Sequence, residues 1–130
     1  MTDTVAQGLM DRMQKGNVMA AECPSRGVLN HLTSRWGTLV MVALATGGHR
    51  FAELRRKIGG VSERMLSQTL KDLEADGFVL RTAHPVVPPH VDYELTPLGM
   101  QAAGHVVTLV GWIEGALPEI MAGKAAMAAE

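Results

Sequence analysis

The sequence predicts a mainly α-helical domain with one small β-hairpin. Apolar residues recur at steps of three and four in successive segments between residues 25 and 121, which is the spacing of a helix face. Two short segments with strand composition flank a proline-rich stretch at residues 84–90. The chain has 130 residues, 47% of them hydrophobic, which is the size and apolar content of one ordinary domain.

The chain divides into three parts. Residues 1–22 are expected to form a helical arm, with Val5, Leu9 and Met13 at four-residue spacing on one face. Such a helix is too short to be stable alone, so it must pack on something. Residues 23–121 carry the domain and its last helix, and the Ala-rich tail at 122–130 is expected to be disordered.

The first helices of the domain are bounded by breakers. Pro24 lacks a backbone amide and restricts the residue before it, so a helix is expected over about residues 25–33. From Trp36 to about Thr46, apolar residues at helical spacing predict the central core helix, which Gly47 and Gly48 end.

The next segment predicts a helix-turn-helix. After a short strand at residues 49–50, a helix over 51–58 ends at Gly59-Gly60, and Ser62 caps another helix. In this second helix a core stripe lies opposite a polar face. The stripe consists of Leu66, Thr69, Leu70 and Leu73, and the polar face of Arg64, Ser67, Gln68 and Lys71. Small, amide and cationic side chains on an outward face are typical of a helix that binds DNA.

Two strands and a long helix complete the domain. Residues 78–82 and 91–95 are predicted strands, and the loop between them protrudes because its prolines donate no amide. Thr96 and Pro97 start the last helix. The whole pattern predicts a winged helix-turn-helix. The apolar face of the last helix is wider than one packing contact needs, so with the N-terminal helix it is interpreted as a dimer interface.

The distribution of charge favours a nucleic-acid partner, although the net charge is only −1. Residues 50–81 carry seven basic and five acidic side chains, or +2, whereas residues 82–130 carry one basic and five acidic, or −4. Phosphate contacts need such a local excess of cations.

The ordered features resemble a known family. They include Cys23-Pro24, Trp36, Arg50-Phe51 with Glu53-Leu54, the segment SERMLSQTLKDLEADG, Pro88-Pro89, and Tyr93 through Gly99. Over residues 22–112 the chain thereby resembles the HxlR family of bacterial winged-helix regulators. It differs from many members in its longer lead before Cys23 and in His84-Pro85, where an aromatic residue is common.

The resemblance implies a homodimer that binds inverted-repeat operators in double-stranded DNA, usually as a repressor. The recognition helix would fall on residues 62–76 and the wing on 82–91, while Arg55, Arg56 and Lys57 would meet phosphates. The alternative for each position is a solvated surface. The candidate DNA contacts are Arg50, Arg55, Arg56, Lys57, Ser62, Arg64, Ser67, Gln68, Lys71, His84 and His90.

Cys23, the only cysteine, is the candidate redox sensor. It precedes a predicted helix and lies near Arg26, and both a helix N-terminus and a cation favour the reactive thiolate. Some members of the resembled family sense quinones or hypochlorite at this place. Oxidation would have to link two subunits or attach a small thiol. The alternative is a small, buried, inert residue.

Other functional classes find little support. The sequence has no nucleophile beside a base at motif spacing and no glycine-rich phosphate loop, so neither an enzyme nor a cofactor is expected. His84 and His90 do not have a recognised metal-ligand spacing, so no metal site is expected. The segment 102–121 is interrupted by His105, Glu114, Pro118 and Glu119, so no membrane span is expected. The single cysteine fits a reducing compartment, so a cytoplasmic protein is expected.

Two further functions stay open. A small apolar ligand would bind in a pocket near the dimer interface, between the last helix and the core. Trp36, Trp112 and the methionines would line this pocket, and the alternative is that they are ordinary core residues. A winged helix that binds proteins would also fit the near-neutral total charge.

Overall fold

A computed structural model describes residues 17–130 of the chain, so residues 1–16 of the predicted helical arm lie outside the described residues. Residues 17–22 of that arm form turns and not a helix. The described elements are α1 (Pro24–Thr33), α2 (Arg35–Leu44), β1 (His49–Arg50), α3 (Phe51–Lys57), α4 (Glu63–Ala75), β2 (Val79–His84), β3 (His90–Leu95) and α5 (Pro97–Ala129). The predicted fold class, mainly α with a small β-wing, is confirmed.

Hydroxyl side chains start three of the helices. Ser34 Oγ accepts a hydrogen bond from the Gly37 amide at 3.1 Å, at the beginning of α2. Ser62 Oγ accepts one from the Met65 amide at 3.1 Å, at the beginning of α4. Thr96 Oγ1 accepts one from the Gly99 amide at 2.9 Å, at the beginning of α5. Each bond satisfies one of the amides that a helix N-terminus leaves unpaired, so the sequence specifies where these helices begin.

The three strands form one antiparallel sheet in the order β1-β3-β2. Strands β2 and β3 pair from Val79↔Leu95 to His84↔His90, so the connecting loop is residues 85–89. We call this hairpin with its loop the wing. Strand β2 extends two residues beyond the predicted end at Thr82, because all three prolines of the predicted loop lie within residues 85–89 and do not interrupt the pairing.

The core lies between α2, α4 and the first turns of α5. Val40 and Met41 of α2 and Leu54 of α3 are fully buried. The predicted stripe of α4 is buried throughout, with Leu66 and Leu73 at 0% exposure and Thr69 at 8%. Burying large aliphatic side chains contributes about 1.5–3 kcal/mol each, and this anchoring fixes which face of α4 is left outside.

Helix α5 extends far beyond the core. It has 33 residues, about 50 Å in length, yet its buried residues are only Gly99, Ala103 and Val106. The helix includes residues 122–129 and ends at Ala129, although the sequence predicted a disordered tail over residues 122–130. Alanine has the highest helix propensity of all residues, which explains the difference.

The apolar stripe of α5 continues where the core ends. Ile113 lies seven residues after Val106, and Leu117 lies fourteen after Ala103, so both share the face that packs on the core. Their side chains are nevertheless 40% and 45% exposed. Within residues 17–130, nothing covers this continuation of the stripe.

By length and composition alone, α5 is also apolar enough to cross a membrane. Core helices of soluble proteins pass the same test, so one such helix is weak evidence for a membrane span.

Gly99 allows α5 to approach the start of β2 closely. A Cβ atom at this position would overlap the carbonyl oxygen of Phe78. That carbonyl accepts the Thr96 amide at 3.0 Å, and the Thr96 hydroxyl donates to the Gly77 carbonyl at 2.6 Å. The turn before β2 and the start of α5 are thus joined by backbone contacts that leave no space for a side chain at residue 99.

Candidate nucleic-acid interface

The outer face of α4 presents four predicted DNA contacts together. Arg64, Gln68 and Lys71 are exposed and Ser67 is half-buried. Gln68 Nε2 donates a hydrogen bond to Asp72 Oδ1 at 3.0 Å, one turn along the helix. Ser62 stands at the helix N-terminus, where its hydroxyl is used for the cap. The buried stripe on the opposite side holds these side chains outward.

The wing stands beside this face. An open groove of about 630 Å³ lies between α4 and β3, lined by Glu63, Arg64 and Ser67 of α4, by Val91 and Tyr93 of β3, and by Phe51 at the start of α3. Arg64 and Ser67 therefore face the same concave surface as the wing strand. A helix and a hairpin joined in this way offer two adjacent points of contact to a duplex.

The cations of α3 lie in its last turn. The C-terminal end of a helix carries a partial negative charge, which stabilises positive side chains there. Arg55, Arg56 and Lys57 are all exposed. Arg55 is 3.8 Å from the Glu63 carboxylate. Lys57 Nζ donates to Thr46 Oγ1 at 2.9 Å and lies 3.3 Å from His49 Nε2. These contacts orient two cations that phosphate binding would use.

Arg50 belongs to two elements at once. It ends β1 and is the N-cap residue of α3, where its amide donates to Glu53 Oε1 at 3.3 Å. Its Nε atom lies 4.0 Å from Asp92 Oδ1 of β3. Arg50 is therefore held on the side of the sheet that faces the wing histidines.

His84 and His90 form a cross-strand pair in the wing. Their rings stack with centroids 4.6 Å apart, and His84 Nε2 lies 2.7 Å from Asp92 Oδ2. Sequence reasoning missed Asp92 as their partner. The two-residue spacing of His90 and Asp92 could have placed both on one face of a strand, but the approach of His84 to them depends on the pairing register.

Cys23 is the N-cap residue of α1 and is half-buried. A hydrogen bond from the Ser25 side chain lowers the pKa of the Cys23 thiol most, and the amides of Ser25 and Arg26 add to this. The charge of Arg26, one of the two causes that the sequence suggested, contributes least. The Arg26 guanidinium instead donates to the carbonyls of Val18 and Met19 at 3.1 and 3.0 Å.

An apolar groove of about 420 Å³ lies where α5 crosses the end of α2 and β3. Leu44, Leu95, Met100, Ala103 and Val107 provide its apolar lining. Neither tryptophan lines it. Trp36 packs partly buried against the core, whereas Trp112 is 65% exposed on α5 and is not a core residue.

These elements define a class of protein. Two short helices are joined by a turn at Gly59-Gly60, and a buried stripe anchors the second helix to the core. Together with the hairpin beside them, they form a winged helix-turn-helix. The family described as HxlR-like helix-turn-helix matches residues 31–121, and the chain belongs to this family of DNA-binding transcriptional regulators.

Similar proteins agree with this assignment. The uncharacterized HTH-type transcriptional regulator YtfH of Escherichia coli (strain K12) is 60% identical over 114 residues, 88% of this chain and 90% of the relative. The transcriptional regulator ytfH from Salmonella typhimurium has a solved structure that superposes with a TM-score of 0.80, and its sequence is 58% identical. The match covers 82% of this chain and 96% of the ytfH chain. The redox regulator HypR in its oxidized form is 34% identical, with a TM-score of 0.66, over 72% of this chain and 96% of its own.

Proposed function

We propose that the protein is a homodimeric, sequence-specific repressor that acts in the cytosol on an inverted-repeat operator and catalyses no reaction. The observation that carries this proposal is the polar outer face of α4, held outward by the buried stripe and flanked by the cations of α3 and by the wing. Such a face fits the major groove, where base edges present hydrogen-bond donors and acceptors.

The contacts divide by position. Arg64, Ser67, Gln68 and Lys71 on α4 would meet base edges. Arg55, Arg56 and Lys57 at the end of α3, with Arg50 and Ser62, would meet phosphates, which position the protein without reading sequence. His84 and His90 would place the wing against the neighbouring groove or backbone.

The exposed stripe of α5 supports the proposed dimer. The stripe continues past the core of its own subunit, and a second copy offers the same stripe for a two-fold contact. The two recognition helices would then bind half-sites about 34 Å apart, one turn of the duplex.

Replacing Arg64 by alanine is expected to weaken operator binding by about 1–3 kcal/mol, roughly 5- to 150-fold, if the guanidinium pairs with a base. The measurement is a gel-shift titration on the DNA upstream of the protein's own gene, with an unrelated duplex as the non-specific reference. Affinity for the unrelated duplex should change little, because base contacts contribute to the operator alone.

Lys124→Ala is the matched control, since it removes one exposed cation from the far end of α5. Equal affinities of wild type, Arg64→Ala and Lys124→Ala for the operator would remove Arg64 as a base contact, whereas a wild type with no preference for the operator over the unrelated duplex would favour a winged helix that binds protein.

We further propose that oxidation of Cys23 is the signal. The lowered pKa of Cys23 increases the thiolate fraction at neutral pH, and thiolate is the form that oxidants attack. The similarity to a redox regulator supports the same chemistry here. When two Cys23 thiols join, they lose two protons and two electrons, which the N=N bond of diamide takes up as it becomes a hydrazine.

Treatment with diamide is therefore expected to change the operator affinity of wild-type protein and to leave that of Cys23→Ser unchanged. Mass spectrometry without reductant should show either a doubled mass or an added small thiol in wild type only. An identical response of both proteins would remove Cys23 as the sensor. The signal would then be sought in a small apolar ligand that fills the groove beside Met100 and Val107.

A further inference from the structure

We propose that His84, His90 and Asp92 form a binding site for a divalent transition-metal ion on the wing. The three residues lie on one face of the hairpin, where His84 pairs directly with His90 and Asp92 follows two positions later. One ligand atom from each residue lies within 4.8 Å of the other two. The sequence spacing concealed this cluster, because the two histidines are six residues apart in the chain and become neighbours only through strand pairing.

The distances are close to those of a metal centre. Asp92 Oδ2 is 2.7 Å from His84 Nε2 and 4.0 Å from His90 Nε2. Ligand atoms about 2.0–2.2 Å from a tetrahedral zinc ion are separated from one another by about 3.4 Å. Side-chain rotations that widen the first distance and shorten the second would bring the Asp92 oxygen to this separation from both imidazole nitrogens.

The ligand chemistry selects the class of ion. Two imidazoles and one carboxylate suit zinc and its neighbours cobalt, nickel and copper, whereas calcium and magnesium prefer oxygen ligands throughout. Three protein ligands leave at least one coordination position open. The side chains of His84, His90 and Asp92 are 39%, 24% and 42% exposed, so an ion and its water can enter from solvent.

The surroundings leave room for the ion. An open groove of about 410 Å³ lies beside the cluster, lined in part by His84, Asp92 and Thr82. Arg50 approaches the other carboxylate oxygen of Asp92, with its Nε 4.0 Å from Oδ1. That contact orients the carboxylate and leaves Oδ2 directed at the histidines, as supporting residues do in metal centres.

The close contact of His84 Nε2 with Asp92 Oδ2, at 2.7 Å, and the stacking of the two rings hold the three groups together. A bound metal ion would replace this contact between His84 and Asp92 through rotations of the side chains. The ligands are therefore arranged in advance, which lowers the ordering cost of binding.

The test is a titration of untagged, full-length protein with Co²⁺, followed by visible absorption, and with Zn²⁺, followed by calorimetry. We expect one ion per chain at micromolar concentration. Asp92→Asn and His84→Gln should each weaken binding at least tenfold, while His105→Gln, which alters an exposed histidine of α5, should leave it unchanged. Melting curves of the metal-free variants verify that each is folded.

A second measurement needs no variant. Addition of Zn²⁺ to the wild-type protein should shift the imidazole NMR signals of His84 and His90 and leave that of His105 in place. Equal affinity in wild type, Asp92→Asn and His84→Gln, or no saturable binding up to millimolar Zn²⁺, would overturn the proposal. Both readouts are made without DNA, so they stand or fall independently of the operator-binding function.

Discussion

The double variant Ile113→Asp/Leu117→Asp is expected to be a monomer that has lost specific operator binding. Both side chains lie on the stripe of α5 that continues beyond the core, where they are 40% and 45% exposed. Two aspartates would place unpaired charges in the proposed apolar contact between subunits, and burying such charges costs several kcal/mol each. A single subunit reaches only one half-site, so operator affinity should fall about 10³-fold or more.

Light scattering at micromolar concentration measures the mass, and gel shifts measure the affinity. Gln101→Asp is the control, because it adds a negative charge to the same helix on a different face. A wild-type mass of one subunit would refute the dimer and would leave the stripe to be covered by residues 1–16 or by another partner.

The Gly99→Ala substitution is expected to destabilise the fold by about 3 kcal/mol, near the upper end for a single added methyl group. The new Cβ atom would overlap the Phe78 carbonyl oxygen, a backbone atom that cannot rotate away. Helix α5 would have to shift outward and stretch the hydrogen bond between the Thr96 amide and that carbonyl. The midpoint of thermal unfolding should drop by about 10 °C.

Gly104→Ala provides the comparison, because no atom lies within 4 Å of a Cβ at that position of the same helix. There the higher helix propensity of alanine should stabilise the protein by about 0.5–1 kcal/mol. Both variants are melted at the same protein concentration as the wild type. Similar melting temperatures for Gly99→Ala and wild type would show that α5 and the turn before β2 separate more easily than their contacts imply.

Much of the fold could be predicted from local chemistry. The Ser62 and Thr96 caps, the apolar spacing of α4 and the prolines of the wing loop each act within a few residues, so the sequence alone contains the signal. The inner stripe of α4, from Leu66 to Leu73, is buried as predicted, and the exposed face follows from it.

What the sequence could not provide depends on contacts between distant residues. The association of His84 and His90 with Asp92 requires the register of the hairpin, which was predicted two residues too short on the first strand. The exposure of Trp112 depends on where the core ends beneath α5, and no periodicity reports that boundary. The larger role of Ser25 than of Arg26 at Cys23 depends on side-chain orientation, since Arg26 turns back toward Val18 and Met19.

The position of Arg50 couples the wing to α3 in the proposed DNA-binding surface. No linker separates β1 from α3, because Arg50 ends the strand and Phe51 begins the helix. Strand β1 pairs with β3, so a displacement of the wing moves the start of α3 with it. The binding free energies of the contacts that the wing and α3 make with one duplex would therefore be non-additive, because each element positions the other. Loss of the contacts of one element would weaken DNA binding by more than the free energy of those contacts alone.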